Sequence, residues 1–466
     1  MFVNVKRETA VECFKFNRIA MASVVCWNNL PSVVLLEIFK MISHEERINA
    51  STTCREWRKA LFFPNFWRDL TIKVYSKNDR YAVERCQFFA KSFLLSLRNV
   101  RIIFSYKKSY LMQVTEVLCK LSENRQVKKL FLFGFGKSST TDPNLSCCAE
   151  NLINFLENVK SLNSLHISHC WLLLVNNNGL GEALEKHRDS LVNLGIGPVY
   201  SNCQEGQIVD LTLDFAGFQN LMTLSLDHLW VTDEVLKQVS DLKLLKRLIL
   251  LLDKEFKGHK AKNETWEYFH TKLPDCELRI NLIKGINKDV MRIFSKSMPV
   301  THIKLLYCGK VSLSLMSFFT WFEDLKSVWC LSEDDLEALL PEQNPLVMCA
   351  WTCHKLEELV IIGIKFDFED LIGIARLRGS GMKRLEISSS NIVKLFDVQN
   401  TNFWESRNLF PTEMKSFSKK MSKALGRSWS PVDNATFKNL NLSSCDNEVN
   451  NIVEILSKDY EMESTI

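Results

Sequence analysis

Glycine and proline are scarce in this chain, 16 and 10 of 466 residues, which excludes a collagen-like or low-complexity polypeptide. No C-x-x-C pair occurs among the 15 cysteines, their spacing is irregular, and no secretory signal is visible. A disulfide framework and a cysteine-based zinc site are therefore disfavoured, and reduced, buried thiols in the cytosol or nucleus are expected. An excess of one charge is missing too: 59 basic residues face 54 acidic ones. No basic run interleaved with aromatics follows a phosphate backbone, so nucleic acid is not the expected partner. The one long uncharged run, residues 19–36, is interrupted by Asn28, Asn29, Pro31 and two serines and does not read as a membrane span. The amphipathic opening MFVNVKRETAVECFKFNR is too acidic for a mitochondrial presequence because of Glu8 and Glu12. A loose arm over residues 1–26 is expected, with Met21 an alternative start.

What is present is an ordinary globular composition, 46% hydrophobic and 24% charged, enough to fill a large core. The stretch LPSVVLLEIFKMI (30–42) is apolar on every side, and a helix of that kind must be buried on more than one face. Pro31 suits the start of a helix over 32–42. A second helix over 45–53 contributes Ile48 and Ala50, and a third carries Cys54, Trp57 and Leu61 at helical spacing, with Pro64, Phe66 and Trp67 closing the unit. Three short helices are too small to bury this much apolar surface among themselves.

The pattern W-x-x-L-P-x-x-x-L-x-x-I-F, then R-x-x-x-x-x-x-C-R-x-W, then W-x-x-L runs without a gap through Trp27, Leu30, Pro31, Leu35, Ile38, Phe39, Arg47, Cys54, Arg55, Trp57, Trp67 and Leu70. It resembles an F-box over residues 27–70; Val33 and Thr53 depart from the usual acidic and apolar residues there. The resemblance implies that the surplus apolar face docks on the Skp adaptor of a cullin ubiquitin ligase. Leu30, Pro31, Leu35, Ile38, Phe39, Ile48, Cys54 and Trp57 are the expected adaptor-binding residues, with Leu35, Ile38 and Phe39 central.

Beyond it, a unit L-x-x-L-x-L recurs at steps within the range of leucine-rich repeats with insertions. The signals begin at residues 127, 162, 191, 221, 245, 300, 325, 356, 382 and 437, with weaker ones at 97 and 275. Cys170, Cys308 and Cys445 fall where such repeats place Asn or Cys against turning backbone. One unit cannot bury its strand alone, so neighbours must stack into a curved solenoid with a parallel sheet on the concave side. The expected fold is α/β: a three-helix F-box, a solenoid over 71–445 with helices such as DEVLKQVSDL and EDLIGIARL, and a C-terminal helix or tail over 446–466. An insertion over 394–434 breaks the period and holds one short helix near 414–425. NPLVMCAWTCHKL (344–356), IGIARLRGSGMKRLEI (372–387), TEMKSFS (412–418) and LGRSWSPV (425–432) resemble one branch of the F-box proteins across nearly the whole chain.

No chemistry-bearing motif survives scrutiny. GFGKSSTT (134–141) lacks the first glycine of a phosphate loop, since Phe131 stands there. In HISHC, His166 points to the concave side and Cys170 inward, so they share no metal. Cys349, Cys353 and His354 have helical spacing without a second pair and read as core. No catalytic residue, metal or cofactor is expected. Between the repeat leucines, Arg247, Arg279, His302, Lys304, Trp329 and Arg384 face the concave side, with Glu358 and Glu386 beside them. Arg279, Lys304, Trp329 and Arg384 are expected to form a row that binds an acidic or phosphorylated segment of a target protein; the alternative is a solvated face. The resemblance implies a non-catalytic receptor subunit that reaches cullin and the RING subunit through Skp, in the cytoplasm or nucleus. A repeat scaffold that binds Skp without assembling a ligase is the rival reading.

Overall fold

The computed structural model describes residues 30–42, 44–75, 84, 87–88, 91–135, 143–168, 179–197, 213–252, 261–284, 293–308, 315–336, 344–397, 404–432 and 445–460. The chain divides into two compact units after Trp67. In the first, helices α1 (Ser32–Met41), α2 (His44–Ala50) and α3 (Arg55–Leu61) precede a 3₁₀ turn, Pro64–Trp67. Pro31, which has no N–H to leave unpaired, stands just ahead of α1, and its carbonyl accepts the Leu35 N–H at 3.1 Å. Leu70 therefore belongs to the second unit, although it completes the F-box pattern.

The second unit is a repeat of strand and return. Its strands are β1 (Asp69–Val74), β2 (Asn99–Ser105), β3 (Lys129–Phe135), β4 (Ser164–Ser168), β5 (Asn193–Ile196), β6 (Thr223–Asp227), β7 (Arg247–Leu252), β8 (Glu277–Ile283), β9 (Val300–Leu306), β10 (Ser327–Leu336), β11 (Glu358–Ile364), β12 (Phe366–Asp367), β13 (Arg384–Ile387), β14 (Ile392–Asp397) and β15 (Trp404–Asn408). Twelve of them form one parallel sheet in chain order, β1 through β11 and then β13. Eleven of these twelve coincide with the repeat signals; β1 is the one without a signal, because its Leu70 reads as the end of the F-box pattern. The signal at 437 lies outside the described residues.

Register explains the repeat leucines. Leu130, Leu165, Leu194, Leu224, Leu248 and Leu278 stand side by side on successive strands and are all buried. Each exposed strand face would strand apolar area in water at roughly 25 cal/mol per Å², so the connecting helices lie over this column. Two of the expected helices are there as Asp233–Ser240 and Phe368–Arg378. Thr232 accepts the Val235 N–H at 3.2 Å and Asp367 accepts the Glu369 N–H at 3.0 Å, so each helix is N-capped by the residue before it. The Cys308 thiol donates to the carbonyls of Leu282 at 3.4 Å and Leu306 at 3.7 Å, holding turning backbone. Cys170 lies outside the described residues, and Cys445 opens the C-terminal helix rather than ending a repeat strand.

The expected insertion, 394–434, does hold one helix, and its described residues also form strands and cap the edge of the main sheet. β14 pairs with β12 in parallel and with β15 antiparallel, and a 15-residue helix, Pro411–Leu425, follows. Its Phe417 meets Phe368 and Trp429, while the Trp429 indole donates to the Leu385 carbonyl at 2.8 Å. Val432 then bonds the Ile387 carbonyl at 2.9 Å, so the cap reaches the last strand of the sheet, which would otherwise offer unpaired groups.

Gly363 ties β11 to its neighbours. Its φ is +73°, its N–H donates to Asn391 Oδ1 at 3.1 Å, and a Cβ there would stand 2.3 Å from the Ser332 carbonyl oxygen. Gly363→Ala is expected to destabilise the chain by about 2 to 4 kcal/mol through positive φ and overpacking. Gly373→Ala, in helix Phe368–Arg378 with nothing within 4 Å of the new Cβ, should be neutral or stabilising. Thermal melts of the two variants check this; equal melting temperatures would contradict it.

Candidate partner-binding surfaces

The helical unit sorts its apolar residues into two sets. Leu35 and Phe39, one turn apart on α1, are buried, and Phe39 meets Trp57 edge-on at 5.8 Å and stacks on Phe66 at 5.9 Å. Arg47 locks this cluster: its Nε donates to the Phe39 carbonyl at 2.6 Å, its NH1 donates to the Phe66 carbonyl at 3.2 Å, and its guanidinium lies 4.9 Å from the Phe66 ring centre. Trp67 is fully buried with its indole donating to the Leu61 carbonyl at 2.5 Å. These motif positions hold the unit together.

Leu35 and Phe39, expected to be central to adaptor binding, are buried within the helical unit itself. Ile38, Leu30, Cys54 and Trp57 are half-buried, while Pro31 and Ile48 are exposed. The apolar surface in contact with water comes instead from Val33 (68% exposed), Val34, Met41 (86%), Ile48 and Phe62. The sequence pattern missed Val33, Val34, Met41 and Phe62 because an all-round apolar helix does not reveal which side its own unit covers.

The concave face of the sheet carries the second arrangement. The C-terminal helix, Cys445–Tyr460, places Ile452, Val453, Ile455, Leu456 and Tyr460 in one buried cluster with Ile103, Phe131, Phe133, Ile249, Leu251, Ile283, Leu306, Leu331, Val360 and Ile362. These strand residues are the ones between the repeat leucines. At the end of the helix the Tyr460 ring stacks on His166 at 4.0 Å and 13°, and the Ser225 hydroxyl donates to the Tyr460 oxygen at 3.5 Å. The His166 ring in turn requires Gly195 on the next strand, since a Cβ there would sit 2.2 Å from Nδ1.

Beside Tyr460 the carboxylate of Asp459 is buried among cations. Lys304 donates to Oδ1 at 2.7 Å, Arg279 to Oδ1 at 2.8 Å and Asn281 to Oδ2 at 3.0 Å, while Arg247 donates to the Asp459 backbone carbonyl at 2.6 Å. Glu277 accepts from Arg279 at 2.6 Å. Burial alone would raise the Asp459 pKa, but Lys304 and Arg279 outweigh it and hold the group below its ordinary value. Burial would also raise Glu277, which Arg279 brings down to about 2. Burial lowers Lys304, opposed by Asp459. His166 and His302 are both pulled down to about 3, by burial first, so their rings are neutral at physiological pH.

Each concave residue named from sequence can now be placed. Arg247, Arg279 and Lys304 are engaged by Asp459, and His302 Nδ1 lies 2.8 Å from the Thr301 hydroxyl. Trp329 has Lys304 Nζ at 4.7 Å and the Arg384 guanidinium at 4.6 Å from its ring centre. Arg384 donates to Glu386 at 2.8 and 2.9 Å and to Glu358 at 2.9 Å. The expected single row is corrected in two ways. A register shift between β8 and β9 sets Arg279 opposite His302, so Lys304 and Trp329 share one level while Arg279 and Arg384 occupy the next. More importantly, the chain's own carboxylate already occupies the cationic part.

Of the remaining motifs only part lies within the described residues. Gly134 and Phe135 lie in β3, and 136–141 lie outside the described residues, as do His169 and Cys170. The Cys349 and Cys353 sulfurs are 3.6 Å apart and buried, with the Cys353 thiol reaching the Phe322 carbonyl at 3.2 Å. Among the described residues no group of three or more His, Cys, Asp or Glu could hold a metal ion, and no helix is long and apolar enough to cross a membrane.

Residues 27–73 match the F-box-like family. The chain is thus an F-box-like domain followed by a curved, leucine-rich-repeat-like parallel sheet. Over most of its length it is similar to F-box only protein 33 of Homo sapiens, 24% identical over 432 residues that cover 78% of this chain and 77% of that protein. F-box/LRR-repeat protein 21 of Mus musculus is 22% identical over 434 residues, covering 88% of this chain and 91% of that protein. Among solved structures, an internalin of Listeria monocytogenes covers 76% of this chain and 94% of its own at 11% identity and a TM-score of 0.24; the fold described above rests on its own strand register.

Replacing Asp459 by Asn should cost about 3 to 5 kcal/mol at neutral pH, because Lys304 is left buried without its carboxylate partner and Arg279 keeps only Glu277. The native contribution is complete above the ordinary aspartate value of 3.8 and is lost as the pH falls through the lower folded value. Denaturation at pH 7 and at successively lower pH should therefore show the gap between native chain and variant closing only below 3.8.

Proposed function

We propose that this chain is the substrate-recognition subunit of an SCF-type cullin-RING ubiquitin ligase. The helical unit binds a Skp-type adaptor, and the repeat unit presents a target protein for ubiquitination. The observation that carries this is the F-box-like segment itself, whose matching residues build a small aromatic core and leave Val33, Val34, Met41 and Ile48 in water. An apolar patch of that size on so small a unit is what an interface requires. The relatives named F-box only protein 33 and F-box/LRR-repeat protein 21 support the same reading. The chain contributes no catalytic residue in this reading. It raises the effective concentration of target lysines near a ubiquitin thioester held elsewhere in the complex, which is catalysis by proximity. The setting is the cytoplasm or nucleus, where reduced cysteines persist.

The full chain with Val34→Asp and Met41→Asp should lose adaptor capture by about two orders of magnitude or more, since each apolar contact is worth about 1.5 to 3 kcal/mol, while its circular dichroism stays unchanged. Phe39→Ala should instead loosen the helical unit, seen as increased proteolysis within residues 30–67. Unchanged capture of adaptor by the folded double variant would refute the assignment, and co-purification of cullin separates a ligase subunit from a scaffold that stops at Skp.

A further inference from the structure

The sheet does not need the C-terminal helix to complete its backbone bonding. Successive strands pair with one another throughout, and among the described residues the helix is held through side chains plus the single Arg247 bond to the Asp459 carbonyl. It follows Val432 only after residues 433–444. Its sequence, CDNEVNNIVEILSKDY, is rich in Asn, Asp, Ser and β-branched residues, and a helix of this length and composition is marginal without a partner. The element therefore depends on the groove for its order, as a bound peptide would.

The groove has the opposite dependence. With the helix in place the Arg247, Arg279 and Lys304 side chains are largely shielded from water, Arg279 shares Glu277, and Asp459 is the carboxylate bonded to Lys304. Such a site demands a carboxylate. Around it, Ile249, Leu251, Ile283, Leu306 and Leu331 demand aliphatic surface. The two requirements fall at a fixed spacing on the resident helix. Aliphatic residues stand at 452, 453, 455 and 456, a carboxylate three residues after the last, and an aromatic ring next to it over His166.

We propose that the concave groove is the recognition site for an amphipathic helix of a target protein, aliphatic at four such positions and carrying a carboxylate one turn later, and that the C-terminal helix is its resident intramolecular competitor. This rests on reading the repeat unit as the target-binding part. Target capture then requires displacement of the chain's own helix, and a target must supply both the aliphatic face and the acid. A cationic or carboxylate-free helix is rejected because it would cover Lys304 without supplying the carboxylate that Asp459 now gives it.

The test uses the full chain and a fluorescein-labelled synthetic peptide of residues 445–460. A chain carrying Leu456→Asp and Asp459→Lys, which ejects its own helix, should bind the peptide at least 100-fold tighter than the native chain does. The same peptide with Asp459→Asn should lose most of that gain. A folded variant that fails to take up the peptide, or one that binds both peptides equally, overturns the proposal. Hydrogen exchange on the unaltered chain keeps the test decisive should the variant not fold. Amides of 445–460 should exchange at least 10-fold faster than those of β7, β8 and β9, and equal protection overturns the proposal. Adaptor capture by the same chains is scored separately, so a failed groove and a failed F-box assignment are told apart.

Discussion

A sheet with apolar side chains on both faces must be covered on both, and the repeat unit supplies cover for only one. Each turn of the solenoid returns over the convex side, so the inner leucine column is buried by the same residues that connect the strands. Among the described residues the concave side has no such provider. It is filled by one helix from the far end of the chain, whose Asp459 carboxylate pairs Arg279 on β8 and Lys304 on β9 while its backbone carbonyl accepts from Arg247 on β7. Burial on both faces is why β4 and β6 are covered at every position.

Covering the concave face also concentrates charge where water is excluded. Asp459 joins Lys304 and Arg279 in one network, and its removal leaves Lys304 buried without that carboxylate. Arg384, at the last strand, is instead paired to Glu358 and Glu386 and remains partly in solvent, so the two ends of the concave surface behave differently. The helical unit applies the same logic in miniature. Arg47 joins the end of α1 to the 3₁₀ turn through backbone carbonyls, which frees the outer apolar side chains from any structural duty.

Much of this was legible in the sequence. The L-x-x-L-x-L signal located nearly every strand of the main sheet because strand burial imposes a strict local alternation, and the F-box pattern located the helices because turn chemistry and aromatic spacing are local as well. β1 escaped because its single leucine serves two patterns at once. The helix of the end cap was legible but its strands were not, because the sequence shows where a period stops but not what the stopped segment lies against.

Sequence alone determined the repeat, the helical unit and the identity of the concave side chains, all of which follow from periodicities of two and 3.6 residues. Only the tertiary structure decided the state of those side chains. The apolar stripe of residues 452–460 announces that something must cover it, yet the contact between Asp459 and Lys304 spans 155 positions. No local pattern encodes which of many cationic positions a distant carboxylate will reach. That choice is made by the curvature of the whole sheet and by the cost of leaving either charge buried alone.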